Sequence, residues 1–132
     1  MVLSEEEGLL RIAMADLETA EASTDPAVFR EGAWGFWLQQ AVEKALKAWL
    51  LHLGGDPPLT HDLRRKLLLL GAEGVNTDVL QPLAQLTIYA VQFRYDADAA
   101  PMGLNREALN LQVKELIARV KALVVRGSEA VS

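Results

Sequence analysis

The sequence predicts an all-α fold, a five-helix up-and-down antiparallel bundle. Apolar residues recur at spacings of three and four along most of the chain, which is the period of a helix, and no stretch is typical of a strand. Gly, Pro and Asp divide the chain into five such stretches, and the short connections between them favour antiparallel neighbours. A length of 132 residues suits a single domain over 1–132, and we expect an ordered core of about 4–126.

Composition narrows the class of protein. Hydrophobic residues make up 51% of the chain, which is typical of a folded core, and the mean hydropathy of +0.12 predicts apolar surface that meets another subunit. The net charge of −5 argues against nucleic-acid binding through bulk charge, although it allows a local basic site. The lack of cysteine excludes disulfides, thiol nucleophiles and thiolate metal sites.

The N-terminal sequence, MVLSEEEGLL, is acidic and lacks the basic region of a signal peptide. The longest apolar runs, such as 67–70, are too short to cross a bilayer. We therefore expect a cytoplasmic protein that does not associate with membranes.

The first helix begins at Ser4, which forms a capping box with Glu7, and it should run to about Ala22. Asp25 is the predicted cap of the second helix. Pro26 then takes the first helical position, where a missing N–H costs nothing.

The second helix contains two glycines, Gly32 and Gly35, each of which costs about 1 kcal/mol relative to alanine. Either they allow a neighbouring element to approach closely, or they mark a short break. Gly54 and Gly55 end the helix by permitting a left-handed cap. The predicted inner face comprises Trp37, Ala41, Val42, Ala45, Leu46, Ala48, Trp49, Leu50 and Leu53.

Thr60 is the predicted cap of the third helix, with Asp62 in its first turn, and Gly71 and Gly74 close it. Its inner stripe is Leu63, Leu67 and Leu70, with Arg64, Arg65 and Lys66 on the solvated side.

The fourth helix should begin near Thr77 or Gln81, with Pro82 in its first turn, and end near 94–96. Its inward residues are Leu83, Leu86, Tyr89, Ala90 and Phe93. Asn105 caps the fifth helix and Gly127 stops it. The stripe of the fifth helix is Leu109, Val113, Leu116, Val120 and Leu123.

The second helix carries the strongest candidate site. Gln39, Glu43 and Lys47 are spaced four residues apart and therefore stack along one face, while Gln40 and Lys44 lie on the adjacent stripe. One interpretation is a solvated face with a weak Glu43–Lys47 ion pair. The other is a bounded polar seam, because this helix is the most apolar and tryptophan-rich in the chain.

Other candidate residues lie at helix ends. His61, in the first turn of a helix, either binds an anion, acts as an acid or base, or merely packs beside the cap. His52, near a helix end, is interpreted as structural. Arg94 and Tyr95 either complete a helix end or bind phosphate and stack on a base.

Several catalytic patterns are missing from the sequence. It contains no zinc signature, P-loop or GxGxxG motif, and no serine lies near a His-Asp pair. We predict no metal site and no cofactor.

The segment QQAVEKALKAWLLHLGGDPPLTHDL resembles the HEPN family (higher eukaryotes and prokaryotes nucleotide-binding domain). That family typically shows QQA-x-EKALKA-x-L, a short turn before THDL, and a later RYP-like segment, here Arg94-Tyr95-Asp96 with Asp in place of Pro. The similarity extends over roughly 4–123. It implies a helical bundle, usually homodimeric, that binds nucleotide or RNA.

The resemblance also implies a partner. Many bacterial HEPN proteins are stand-alone partners of a small nucleotidyltransferase, often in a toxin–antitoxin pair. Others are metal-independent ribonucleases that carry Arg-x4–6-His, a motif absent from this chain. The most similar spacing in this chain is Lys47-x4-His52. It has lysine in place of arginine, and the lysine ammonium is a point charge that lacks the planar fork of the guanidinium.

Three hypotheses follow: a nucleotide- or nucleic-acid-binding module, a ribonuclease with a non-standard centre, or a structural interaction protein. The missing motif favours the first or third over the enzyme. For a ribonuclease, the candidate catalytic residues are His61, His52 and Lys47. The resemblance implies the ligand-binding set Gln40, Glu43, Lys44, Lys47, His61, Arg94 and Tyr95.

Overall fold

The chain forms an all-α helical bundle, which confirms the predicted fold class. The computed structural model describes residues 2–90 and 101–131. Four α-helices and one 3-10 helix, which we call η1, make up most of these residues, and no strand is present among them. In chain order they are α1 (Glu5–Ala22), α2 (Glu31–His52), α3 (Leu63–Ala72), η1 (Asp78–Ala90) and α4 (Arg106–Val131). Within the described ranges, no helix is long and apolar enough to cross a membrane.

α1 begins and ends where the sequence predicts. Ser4 Oγ accepts a hydrogen bond from the Glu7 N–H at 3.1 Å and lies 3.2 Å from the Glu7 carboxylate. These two residues therefore form the expected capping pair. The glutamates of the first turn also suit the positive end of the helix dipole.

α2 begins five residues later than predicted, with Glu31 rather than Pro26 as its first residue. Asp25 Oδ1 accepts the Ala27 N–H at 2.9 Å, and the Phe29 N–H donates to the Asp25 carbonyl at 2.9 Å. The aspartate therefore closes a separate turn, because its side chain offers nearby N–H groups an alternative to the helix ladder. The C-terminal end agrees with the prediction: Gly54 has φ +84° after the last helical residue, His52.

α3 is capped by Asp62, not by Thr60. Asp62 Oδ1 accepts the Arg64 N–H at 3.1 Å, whereas Thr60 Oγ1 accepts the Asp62 N–H at 3.1 Å. Lys66 was predicted to be solvated, but it is 1% exposed. It lies three residues after Leu63, so it shares the inner stripe of the helix.

η1 starts at Asp78 and contains Pro82 near its beginning. A 3-10 helix of 13 residues is unusually long. Its buried side chains include the predicted Leu83, Leu86, Tyr89 and Ala90, whereas Phe93 and the predicted end at 94–96 lie outside the described residues.

α4 begins as predicted, because Asn105 Oδ1 accepts the Ala108 N–H at 3.0 Å. The prediction that Gly127 stops this helix was wrong, since α4 continues to Val131. A Cβ at Gly127 would lie 2.9 Å from Cε1 of His52. This glycine therefore serves close packing of the His52 ring and not helix termination.

α2 occupies the centre of the bundle and packs against all four other helices. Trp37 and Leu53, predicted on its inner face, are 36% and 37% exposed. Trp34 is fully buried instead, and Leu53 follows the last helical residue. The other predicted inner residues are buried: Ala41, Val42, Ala45, Leu46, Ala48, Trp49 and Leu50.

Candidate functional site

Polar side chains along one side of α2 form a continuous hydrogen-bonded network. Gln39, which is fully buried, donates through Nε2 to Glu43 Oε2 at 2.8 Å. Gln40 Nε2 donates to Gln39 Oε1 at 2.7 Å, and Lys44 Nζ donates to Gln40 Oε1 at 2.9 Å. These groups form a seam that is partly withdrawn from water, rather than a solvated face with independent side chains.

The network reaches α1 through Lys44. Its ammonium lies 3.0 Å from Oδ2 of Asp16, a carboxylate that is only 8% exposed. The contact is an ion pair without hydrogen-bond alignment, because Oδ2 receives no well-directed hydrogen bond from the described residues. Lys44 is therefore held between α1 and α2, and Asp16 offsets its charge.

On the opposite flank, the network reaches the connection between α2 and α3. This ten-residue segment, 53–62, returns along α2 and brings His61 Nδ1 within 3.0 Å of Glu43 Oε2 and 3.2 Å of Oε1. Gln39 Nε2 also contacts the His61 carbonyl at 3.4 Å. The His61 side chain remains 62% exposed, against 19% for Glu43. A carboxylate that holds Nδ1 orients the imidazole and leaves Nε2 on the far side of the ring from the carboxylate.

Lys66 is a site residue that the sequence analysis missed. Its ammonium donates to the Thr60 carbonyl, one residue before His61. Burial lowers the pKa of Lys66, and the nearby positive charge of Lys47 lowers it further, whereas the Glu43 carboxylate opposes the shift. A buried ammonium thus ties α3 to the segment that carries His61.

Lys47 lies one turn beyond Glu43 and is partly exposed. It forms no ion pair with any residue in 2–90 or 101–131, so the Glu43–Lys47 pair of the solvated-face interpretation is not present there. Glu43 contacts His61 instead. Among the described residues, the Lys47 ammonium is therefore not neutralised by a direct ion pair.

Two of the predicted binding residues, Arg94 and Tyr95, lie outside the described residues. The chain on either side of 91–100 is joined by one buried carboxylate, Glu31, which is 6% exposed. Its Oε1 accepts from the Tyr89 hydroxyl and from the Met102 N–H at 2.6 Å, and its Oε2 accepts from the Leu104 N–H at 2.9 Å.

His52 is not part of the network. Its ring packs against Gly127 of α4, which agrees with the structural interpretation of this residue. Metal-ligand geometry is also not apparent: within the described ranges, no three His, Asp or Glu side chains converge as they would around an ion.

Comparison with known protein families decides the affiliation. The family model of the HEPN domain matches residues 6–127, nearly the whole chain. The chain is a member of the HEPN family. Comparisons with curated proteins and with solved structures give no significant match. The matched range contains the polar network of α2 and the His61 segment, and membership agrees with the general expectation of a nucleotide-binding or ribonuclease-like HEPN module.

The structure thus brings Gln40, Glu43, Lys44 and His61 into one network of this HEPN domain and sets Lys47 beside it. Sequence reasoning did not select Asp16 and Lys66, yet both carried a signal. Each falls three residues from a core position, Ala13 and Leu63 respectively, so the helical period alone places it on an inward face.

Proposed function

We propose that this HEPN protein is a nucleotide- or nucleic-acid-binding module and that the α2 network and Lys47 contribute its binding surface. The observation that carries the proposal is an exposed imidazole, His61, beside the ammonium of Lys47, which has no ion-pair partner among residues 2–90 and 101–131, next to a buried polar network. The ammonium of Lys47 is a donor that phosphate oxygens accept well, and His61 presents Nε2 to a polar group of the ligand. Because Glu43 is held by the buried Gln39 and in turn holds Nδ1 of His61, the imidazole is in position before a ligand arrives.

The variant Lys47→Ala tests this proposal. Removing one phosphate contact should weaken the binding of a labelled RNA roughly tenfold and reduce the slope of log K against log salt by about 0.7. The melting temperature should not change, because Lys47 makes no ion pair with the part of the fold that the structure describes. Lys114→Ala, which removes an exposed lysine from α4, is the matched control. Equal binding by the two variants would contradict the proposal.

We further propose a homodimer that acts in the cytoplasm as the partner of a small nucleotidyltransferase in a toxin–antitoxin-type pair. The family supports this assignment, and exposed apolar side chains such as Leu68, 75% exposed, and Leu111, 57% exposed, are consistent with protein contacts. Light scattering of the purified protein measures the oligomeric state. Native mass spectrometry of protein taken gently from its host measures a bound partner; a bare monomer would contradict both assignments.

A second candidate function, a metal-independent ribonuclease, is favoured by one observation, the His61–Glu43 pair. A carboxylate holding Nδ1 is the arrangement that positions an imidazole for proton transfer. Cleavage of RNA in the presence of a chelator, lost in His61→Ala and retained in His52→Ala, would support the enzyme. No cleavage by the wild-type protein would leave the binding module.

A further inference from the structure

A strip of side chains on the uncovered side of α2 combines an aromatic ring with two ammonium groups. We define the α2 strip as Trp37, Gln40, Lys44 and Lys47. At about 100° per residue these side chains fall within one sector of the helix, about 80° wide. Asp16 of α1 and His61 border this sector on its two sides, through Lys44 and Glu43 respectively. None of the four belongs to the buried core of the bundle.

Trp37 is set apart from the other tryptophans of the chain. Trp34 and Trp49 are 0% and 2% exposed, whereas Trp37 is 36% exposed. Phe36 contacts its ring edge-on, with centroids 5.2 Å apart and planes at 76°. This contact holds the indole at the surface, where part of the ring is open to a planar ligand.

The other end of the α2 strip is positively charged. Asp16 offsets the charge of Lys44, but Lys47 has no acidic partner in the described part of the chain, and it acts electrostatically on the buried ammonium of Lys66. The Glu43 carboxylate offsets the buried Lys66 and is itself engaged by Gln39 and His61, so the partly exposed ammonium of Lys47 is the cation of this end that an anion can reach. The chemistry therefore favours a phosphate at this end.

The two ends are separated by a distance that restricts the ligand. Trp37 and Lys47 are ten residues apart, or about 15 Å along the helix axis. A single nucleoside monophosphate is too short to stack on the ring and place its phosphate at Lys47 together. A flexible strand of several nucleotides reaches both.

We propose that the α2 strip binds single-stranded nucleic acid, with a base stacked on Trp37 and a backbone phosphate at Lys47. This inference rests on the proposed function and deepens it by naming the ligand class and the stacking residue. Base–aromatic stacking tolerates any base, so binding depends on strand length and salt more than on sequence.

Two readings on the same samples test the proposal. Polarisation of a labelled single-stranded RNA hexamer reports binding, and tryptophan fluorescence reports stacking, since Trp34 and Trp49 are shielded from the ligand. We expect the hexamer to bind more tightly than AMP and to quench the wild-type fluorescence. Trp37→Ala should weaken hexamer binding roughly tenfold or more, whereas Trp37→Phe, which keeps a ring, should lose less. Phe29→Ala removes an aromatic side chain of the same exposure, 37%, outside the strip and should bind like the wild type.

The outcomes separate this inference from the proposed function. Hexamer binding without quenching, and unchanged in Trp37→Ala, overturns the stacking proposal and leaves the binding module in place. AMP binding as tightly as the hexamer overturns the strand-length argument. If no RNA, DNA or nucleotide binds the wild-type protein, the proposed function itself fails.

If Trp37→Ala changes only the molar mass measured by light scattering, the indole is a contact between copies and the proposal is overturned. A matching single-stranded DNA hexamer decides whether the 2′-hydroxyl contributes; DNA and RNA binding alike support the proposal.

Discussion

Glu31 is a carboxylate whose interior position depends on hydrogen bonds from a distant segment of the chain. Burial by itself raises the pKa of this group. Hydrogen bonds from the Tyr89 hydroxyl and from the backbone N–H groups of 102–104 favour the charged form more strongly, so the net pKa lies below its usual value of 4.5. Burial and the adjacent carboxylate hold the pKa of Tyr89 well above its usual range. Glu31 is therefore ionised in the folded protein at neutral pH.

We expect Glu31→Gln to lower the free energy of unfolding at pH 7 by about 1.5–3 kcal/mol. The amide places an NH2 group against a backbone N–H, which leaves a buried donor unsatisfied. A carboxyl whose pKa is lowered by folding stabilises the protein above pH 4.5, and that contribution is lost as the pH falls through the lowered pKa. The difference from the wild type should therefore shrink below pH 4.5 in urea denaturation, and Glu115→Gln, at an exposed position, should show no such trend.

Lys66 differs from Glu31 because burial, which penalises its charged form, outweighs the contacts that favour that form, so its pKa is lowered. A lysine whose pKa is lowered by folding binds fewer protons in the folded state than in the unfolded state. The stability of the protein must then rise with pH between the lowered pKa and the ordinary value of 10.5.

Lys66→Met removes this contribution but keeps an apolar stem. We expect the stability of the wild type, measured relative to Lys66→Met, to increase as the pH rises towards 10.5 in guanidinium denaturation. Tyr89 titrates in both proteins and cancels in the comparison. Parallel stability profiles for the two proteins would show that Lys66 is solvated.

At the scale of the helices, the contact between α2 and η1 depends on a missing side chain. A Cβ at Gly35 would lie 2.8 Å from Cγ of Tyr89, well inside van der Waals contact, and Tyr89 cannot retreat because its hydroxyl is held by Glu31. The glycine therefore permits close approach, one of the two alternatives that the sequence left open. Gly8 in α1, by contrast, has nothing within 4 Å of its would-be Cβ.

Substitution of alanine for Gly35 and for Gly8 should change the stability of the protein in opposite directions. Gly35→Ala overpacks the α2–η1 contact and should destabilise the protein by about 1–3 kcal/mol. Gly8→Ala meets open space and should stabilise it by up to about 1 kcal/mol through helix propensity. Thermal denaturation followed by circular dichroism resolves this contrast at about 4 °C per kcal/mol. Two shifts of the same sign would contradict the packing argument.

At the scale of the whole molecule, one amide joins α2 and α4 to the turn that follows α1. Asn110 of α4 accepts from the indole N–H of Trp34 in α2 at 2.8 Å and donates to Thr24 Oγ1, beyond the end of α1, at 2.9 Å. Arg106 adds a cation–π contact with Trp34, 5.6 Å from the ring centroid. These contacts couple the start of α2 to the start of α4, so we expect the bundle to unfold as one unit.

Asn110→Ala leaves the buried indole N–H of Trp34 without its partner and should cost about 1–3 kcal/mol. Because Trp34 and Trp49 lie in the same core, tryptophan fluorescence and circular dichroism should report coincident transitions before and after the substitution. The exposed neighbour Leu111 supplies the control, with an expected change within about 0.5 kcal/mol for Leu111→Ala. Separate transitions for the two probes would indicate more than one folding unit.

The sequence by itself determined the features that depend on neighbouring residues. Helical period established the all-α class, and the caps at Ser4 and Asn105 and the turn at Gly54 follow from local hydrogen bonding and backbone freedom. The polar spacing from Gln39 to Lys47 identified the side of α2 on which the network lies, and the motif around it led to the HEPN family.

Only the tertiary structure decided which faces are covered. Helical period is the same for a buried and an exposed stripe, so Trp37 and Lys66 were assigned to the wrong sides. Glycine is typical of helix ends, but Gly127 lies inside α4, where the absence of a Cβ lets the His52 ring pack against the helix. His61 meets Glu43 only because the segment 53–62 returns along α2. Local interactions determine whether a stretch is helical, whereas the burial and pairing of its side chains depend on residues far away in the chain.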